Sequence, residues 1–205
     1  MPDGRMEMAS GKIVDPFCLR PEDIDVEDIA CALSRICRFG GHAPYSVAAH
    51  SLAVADCLER WGRKPAVCLS GLMHDSAEAY LGDIPTPIKR APGMEAFASA
   101  ERRAEEAIQN ALGIISWGDE ALDVRTADHL ALCREAATFF KSCGEWWISQ
   151  IDADSAVLAY PYSPAPIEPA RAERKFLREF ARLKEASCRS TSERLDQSMQ
   201  ALVDL

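Results

Sequence analysis

Apolar residues recur every three or four positions along most of this chain, which is the spacing of one face of an α-helix. The pattern predicts a helix over Asp23–Ser34 and another over Val47–Arg60, with Ser46 as the N-cap of the second. Pro65 suits the first turn of a third helix, which runs through His74 at the end of an apolar run.

Later segments continue the helical pattern. Met94–Leu112 is rich in Ala and Glu and is expected to end near Gly113. Further helices are predicted over Asp119–Lys141 and Arg171–Ala186, and the chain shows no convincing set of strands. The segment GDIPTP (residues 82–87) reads as a loop followed by a short turn, and a proline-rich stretch from 161 to 169 reads as a rigid connection. The prediction is an all-α protein: a single compact domain over residues 1–205 with about seven to nine helices, a core over about 25–142 and a C-terminal helical extension over about 168–205.

Composition bounds the classes of protein to consider. The chain has 205 residues of which 48% are hydrophobic, enough for a core without disulfides, and its eight cysteines form no C-x-x-C pair. Reduced thiols that are mostly buried, a cytoplasmic location and no membrane span are therefore expected, since there is no apolar leader segment and no apolar run of about 18 residues. A net charge of −9 disfavours nucleic acid as a partner, but not a small anion attracted locally.

The adjacent pair His74-Asp75 is the feature richest in possible chemistry. An imidazole and a carboxylate side by side form half of a divalent-metal site, and two more ligands complete it. His50 and Asp128 are candidates, each inside a predicted helix. Together the four residues favour metal-assisted hydrolysis of a phosphate ester.

Each of the two distant candidates has an ordinary alternative. His50 lies on the apolar stripe of its helix, where a core histidine with one hydrogen bond is common. Asp128 also lies on an apolar stripe, where burying a carboxylate is unfavourable unless its charge is compensated. A metal ion would compensate it, and so would an ion pair with Arg125 or Arg134.

Two more acids follow the His-Asp pair. Glu78 is one helical turn after His74, a position suited to a general acid or base rather than to a further ligand. Its alternative is a solvated acid at a helix end. Asp83 stands before Pro85 and Pro87, which would fix its loop, although an aspartate at a turn is equally ordinary there.

The arrangement His50, His74-Asp75, Asp128 resembles the H…HD…D pattern of the HD-domain metal-dependent phosphohydrolases. The stretches YSVAAHSLAVA and LMHDSAEAYLGDIPTP resemble more closely the bacterial 5′-deoxynucleotidases and the deoxynucleoside triphosphate triphosphohydrolases of phage and bacteria. The resemblance extends over about residues 25 to 140. The H…HD…D pattern alone is moderately specific, whereas the longer stretches are strongly so.

The resemblance implies roles for these residues. It implies one divalent metal ion on His50, His74, Asp75 and Asp128, Glu78 as the catalytic acid or base, and Asp83 as a positioning carboxylate. In the family an arginine–aromatic pair before the first histidine contacts the nucleotide. Here Arg38-Phe39 fits that role by residue type and Arg35 fits it better by its distance along the chain from His50. Lys89 could meet a polyphosphate, although its sequence context favours a solvated surface lysine.

The expected activity is therefore hydrolysis of a nucleotide, a deoxynucleoside 5′-monophosphate or triphosphate. Hydrolysis of a guanosine alarmone and a catalytically silent binding module of the same fold are the alternatives. Mixed nitrogen and oxygen ligands suit Mn, Co, Fe, Ni or Zn, and Mg less well. His42 and His129 offer no second histidine pair, so one metal ion is expected. The expected partners are a small nucleotide and, as relatives tend to dimerise, a second copy of the chain.

Overall fold

A computed structural model describes residues 4–114, 121–146 and 162–203 of the chain, with side chains to residue 190. These ranges contain eight α-helices with defined bounds, which fits the predicted all-α class and the predicted helix number. The helices are α1 (Val26–Arg35), α2 (Val47–Arg60), α3 (Pro65–Met73), α4 (Glu78–Leu81), α5 (Thr86–Lys89), α6 (Glu95–Leu112), α7 (Ala121–Phe139) and α8 (Pro169–Val203). Short 3-10 turns cover Pro21–Asp23 and Phe39–Gly41.

Local sequence sets the helix starts. The side chain of Asp25 accepts the backbone N–H of Glu27, and α1 starts at Val26, three residues after the predicted start, because Asp23 belongs to the preceding 3-10 turn. Ser46 accepts the N–H of Ala49 and starts α2 at the predicted residue. Pro65 opens α3, where its missing N–H would have no partner within the helix.

A short antiparallel hairpin precedes the helices, so the prediction of a chain without strands was wrong at this point. Met6–Glu7 (β1) pairs with Ile13–Val14 (β2). Two residues per strand are too few to show an alternation of apolar and polar positions. Between the strands, the backbone N–H and hydroxyl of Ser10 donate to the two carboxylate oxygens of buried Asp28, which ties the hairpin to α1.

The main hydrophobic core lies where α2 and α3 pack on each other and where α8 covers α1 and α3. Helix α8 contributes Phe176, the largest fully buried side chain. It begins at Pro169 and continues to Val203, beyond the amphipathic helix predicted over Arg171–Ala186 but within the helical extension predicted over about 168–205. The predicted helix over Asp119–Lys141 is observed over Ala121–Phe139, while residues 119 and 120 lie outside the described ranges.

The cysteines differ from expectation in one respect. All eight are unpaired, as expected, but they are not mostly buried. Cys57, Cys68 and Cys133 are buried, Cys31 is half-buried, and Cys18, Cys37, Cys143 and Cys188 are exposed. No helix among the described residues has the length and apolar character needed to cross a membrane.

Candidate functional site

Three of the predicted ligands converge from three helices. His50 lies in α2, His74 directly follows α3, and Asp128 lies in α7. One ligand atom from each falls within 4.8 Å of the others. The Nε2 atoms of the two imidazoles are 3.3 Å apart, and Asp128 Oδ1 is 3.0 Å from the first and 3.8 Å from the second.

Asp75 adjoins the same point. Its Oδ2 lies 3.2 Å from His74 Nε2 and 3.7 Å from His50 Nε2. The chain therefore brings all four predicted ligands together. The partners of Asp128 within the described ranges are the two imidazoles, not the arginines that sequence alone left open.

The other nitrogen of each ring indicates why this point suits a cation. His74 Nδ1 lies 2.8 Å from the carbonyl oxygen of Gly71, and His50 Nδ1 lies 2.7 Å from Oε1 of Glu135. Both neighbours are acceptors, so each neutral ring carries its proton on Nδ1 and presents an Nε2 lone pair. Two lone pairs and two carboxylates that face one another fit a divalent metal ion of mixed nitrogen and oxygen ligation.

Glu135 is a site residue that the sequence did not single out. It lies in α7 and is fully buried. The available signal was its position seven residues after Asp128, about two helical turns further along the same face. Ala131 and Ala136, which lie beside it on the helix, are buried and apolar. The charge of Glu135 therefore needs compensation, as that of Asp128 does.

The ionisable groups of the cluster shift one another's pKa values. Burial raises the pKa of the Asp128 carboxyl, but hydrogen bonds from His50 and His74 outweigh burial and hold the pKa well below its usual range. Burial lowers the pKa of His74, but the neighbouring Asp75 and Asp128 outweigh it and raise the pKa well above its usual value. Positive charge at this point is therefore stabilised by the fold itself.

The two candidate arginines lie in different surroundings. Arg38 is buried, and its guanidinium contacts Oε2 of Glu135 at 2.9 Å and Oδ2 of Asp75 at 3.3 Å. Arg35 is half-exposed and pairs with Glu173 of α8 at 2.8 Å, so the structure does not bring it to the metal ligands. The distance along the chain to His50 favoured Arg35, but it could not show that residues 36–45 fold back toward α7.

Phe39 accompanies Arg38 at the cleft. Its ring lies 5.5 Å from the Arg38 guanidinium carbon and packs edge-on against Phe140. Its backbone has a φ of 58°, a left-handed conformation that is unfavourable for a bulky residue. Such strain concentrates at functional sites, where surrounding contacts hold it.

A cavity of about 240 Å³ opens beside the four ligands. Of the predicted site residues, its lining includes Arg38, Phe39, Asp75, Glu78, Asp83, Lys89 and Asp128. His129 also lines it, although this ring is not in the convergent ligand group. The proline loop that follows Asp83 forms one wall, so GDIPTP contributes directly to the shape of the cleft.

Glu78 is buried at the start of α4 rather than solvated at a helix end. Burial, followed by the nearby charges of Asp75 and Asp83, raises the pKa of its carboxyl to about 9. Its Oε1 lies 3.7 Å from Lys89 Nζ, whereas its Oε2 is buried with no hydrogen-bond partner among the described residues. An unsatisfied buried oxygen at the edge of a cleft is suited to exchange a proton with a bound molecule.

Asp83 and Lys89 complete the cleft. Burial raises the pKa of Asp83, a half-buried carboxyl, and the charge of Arg38 opposes this rise. Lys89 is not a solvated surface lysine, because its Nζ contacts Glu101 Oε1 at 2.5 Å in addition to Glu78. The carboxylate of Glu101 therefore already compensates the lysine charge.

Comparisons with known proteins give relatives without an assigned activity. No family model matches the chain. It is 29% identical over 171 residues to the uncharacterized protein YfdR of Escherichia coli (strain K12), covering 82% of this chain and 88% of that protein. An uncharacterized protein of Rhodobacter capsulatus is 34% identical over 119 residues, covering 52% of this chain and 57% of the relative.

Proposed function

We propose that this protein is a divalent-metal-dependent phosphohydrolase of the HD type that acts on a nucleotide, a deoxynucleoside 5′-monophosphate or triphosphate. One observation carries the proposal. Four side chains that could bind a metal ion come together from three regions of the chain, beside a cleft that also contains Arg38 and the unsatisfied oxygen of Glu78. The helical fold and the order of the ligands along the chain are consistent with it.

His50, His74, Asp75 and Asp128 would hold the metal ion. A divalent ion there supplies Lewis-acid polarisation of a phosphoryl group and lowers the pKa of bound water. Arg38 would meet the phosphoryl oxygens, because a guanidinium fork matches a phosphate in geometry and charge. With a pKa of about 9, Glu78 keeps its proton near neutral pH and can donate it to the leaving oxygen.

The cleft favours a monophosphate among the possible substrates. Lys89, the residue proposed to meet outer phosphates, is already paired with the carboxylate of Glu101. The cavity of about 240 Å³ is also small for a triphosphate tail beside a nucleoside. Both features support a single phosphoryl group at the metal, with the nucleoside extending toward Phe39 and the opening.

The test is an assay that identifies the released anion. Protein loaded with Mn²⁺ or Co²⁺ is incubated with deoxynucleoside mono- and triphosphates and with a guanosine tetraphosphate. We expect inorganic phosphate from the monophosphate, and no release from protein treated with EDTA. Triphosphate or pyrophosphate as the product would transfer the assignment to the other two substrate classes.

Glu78→Gln is the matched variant for this assay. It should bind the metal as the wild type does and lose about 10²–10⁴-fold in turnover, because it removes a proton donor and no ligand. If the wild type binds the metal but releases no anion from any of these substrates, the result would contradict the enzymatic proposal and favour a silent binding module.

A further inference from the structure

Glu135 divides its two oxygens between two parts of the site. Oε1 lies 2.7 Å from Nδ1 of His50, and Oε2 lies 2.9 Å from Nε of Arg38. The carboxylate and the imidazole are both fully buried. Solvent does not reach the Glu135 carboxylate, so both of its oxygens depend on these two contacts for hydrogen bonds.

The contact with His50 fixes which ring nitrogen carries the proton. A carboxylate oxygen accepts only, so His50 must donate from Nδ1 and leave the Nε2 lone pair toward His74 and Asp128. The opposite tautomer would place a proton on Nε2, where a metal would have to bind. Partners of this kind commonly set the orientation and basicity of ligating histidines.

The contact with Arg38 fixes a second group in the cleft. Arg38 uses Nε for Glu135 and turns Nη1 to Asp75, 3.3 Å away, at the wall of the cavity. The guanidinium is thus held at two points. One carboxylate therefore aligns both a metal ligand and the group that would meet the phosphoryl charge.

We propose that Glu135 is a positioning residue that couples the metal ligand His50 to the anion-binding Arg38. This inference rests on the proposed function and names the residue that assembles its two halves. The coupling requires a carboxylate, because both neighbours donate and only a group with two acceptor oxygens satisfies both.

Glu135→Gln separates this role from a merely structural one. The E135Q amide has one acceptor and one donor group, so it can serve only one neighbour. If its oxygen faces His50, its NH₂ group opposes the Arg38 N–H and releases the guanidinium. If it faces Arg38, its NH₂ group forces the proton of His50 onto Nε2 and blocks the metal.

The experiment measures Co²⁺ affinity by calorimetry and visible absorption, and then the affinity of the Co²⁺-loaded protein for inorganic phosphate. We expect E135Q to lose about 10- to 100-fold in Co²⁺ affinity, or to keep Co²⁺ and lose a similar factor for phosphate. Wild-type values for both would overturn the inference. Absence of Co²⁺ binding by the wild type would instead overturn the proposed function and the inference together.

Asp28→Asn is the matched control, because Asp28 is also a buried carboxylate with two hydrogen bonds, here from Ser10 of the hairpin. It should lower the midpoint of thermal unfolding and leave the Co²⁺ and phosphate affinities unchanged. If D28N lowers both affinities as E135Q does, the effect reflects general loosening of the fold and the inference fails.

A measurement on the unmodified protein covers the case in which E135Q does not fold. The chain has 4 histidines, so a ¹⁵N-histidine spectrum of the Zn²⁺-loaded protein is simple to assign. The His50 Nδ1 proton should be present and exchange slowly with water. A missing or freely exchanging Nδ1 proton would overturn the proposed contact with Glu135.

Discussion

At the scale of single residues, the protonation state of Glu78 follows from its buried position at the start of α4. Its carboxyl is buried between two other acids, so its pKa in the folded protein is about 9, against about 4.5 for a glutamate in the unfolded chain. The folded state therefore binds a proton that the unfolded state releases as the pH rises between these values. Folding stability must fall over that interval.

Metal-free wild type should accordingly lose free energy of unfolding relative to Glu78→Gln as the pH rises from about 5 to about 9. One group contributes a slope of at most about 1.4 kcal/mol per pH unit. Urea unfolding of both proteins in EDTA, at several pH values, measures the difference. Parallel stability curves would mean that Glu78 ionises as a solvated acid does.

Asp128 gives a second prediction at this scale. Asp128→Ala removes the carboxylate that lies against both imidazoles, so Co²⁺ binding should be lost while the fold is at most modestly weakened. Elemental analysis and calorimetry measure the occupancy. Asp56→Ala, which removes an exposed carboxylate from α2, should bind Co²⁺ normally. Full occupancy in the Asp128 variant would remove this residue from the ligand set.

Residue patterns predicted that His50, His74, Asp75 and Asp128 would converge, because an adjacent His-Asp pair and ionisable side chains on apolar helix stripes stand out in the sequence. Glu135 also lies on an apolar stripe, but it is outside the motif that carries the family resemblance. The sequence could not decide between Arg35 and Arg38 as the arginine at the site. The choice depends on the turn at Phe39–Gly41, where a left-handed phenylalanine redirects the chain.

At the scale of elements, the contact between α2 and α3 is unusually close at Gly71. A Cβ atom there would lie 2.3 Å from Leu58 Cδ1 and 3.3 Å from Val54 Cγ1, and both side chains are fully buried. Because the Gly71 carbonyl accepts the hydrogen bond from His74 Nδ1, this packing also positions a proposed metal ligand.

Gly71→Ala should therefore destabilise the protein by about 1–3 kcal/mol, as overpacking of a core does, and should also weaken Co²⁺ binding. Urea unfolding and calorimetry measure the two effects. Leu58→Ala removes the obstructing methyl groups, so the double variant should lose less than the sum of the single losses. Additive losses would show that the two side chains do not meet.

Helix starts were predictable wherever a cap or a proline lies next to an apolar stripe, as at Ser46 and Pro65. In α8 the helical period is clear only to about Ala186, because the polar second half has few apolar positions, although a helical extension over about 168–205 was predicted. The hairpin was not predicted, because its two-residue strands show no alternation of apolar and polar positions. The contact between Ser10 and Asp28 that ties it to α1 joins residues that meet only in the folded chain.

At the scale of the whole molecule, the reactivity of each thiol shows whether its surroundings are open to solvent. Burial raises the pKa of Cys57 and Cys68 to about 12, so neither carries appreciable thiolate near pH 8. Ellman's reagent at that pH should react readily with Cys18, Cys37, Cys143 and Cys188 in the native protein. The buried thiols should react only after urea unfolds the chain, whereas immediate reaction of all eight would contradict the packing described.

The covering of α1 and α3 by α8 has a consequence for how the protein is made. Contacts such as Arg35–Glu173 join residues 138 positions apart, and buried Phe176 is synthesised after all four proposed ligands. These ligands therefore leave the ribosome before the helix that covers the core beneath them. A nascent chain that ends after Phe139 thus carries every proposed ligand but exposes apolar surface, the state in which aggregation competes with folding. Ribosome-bound intermediates that lack α8 should therefore need chaperone protection that the chain with α8 in place does not.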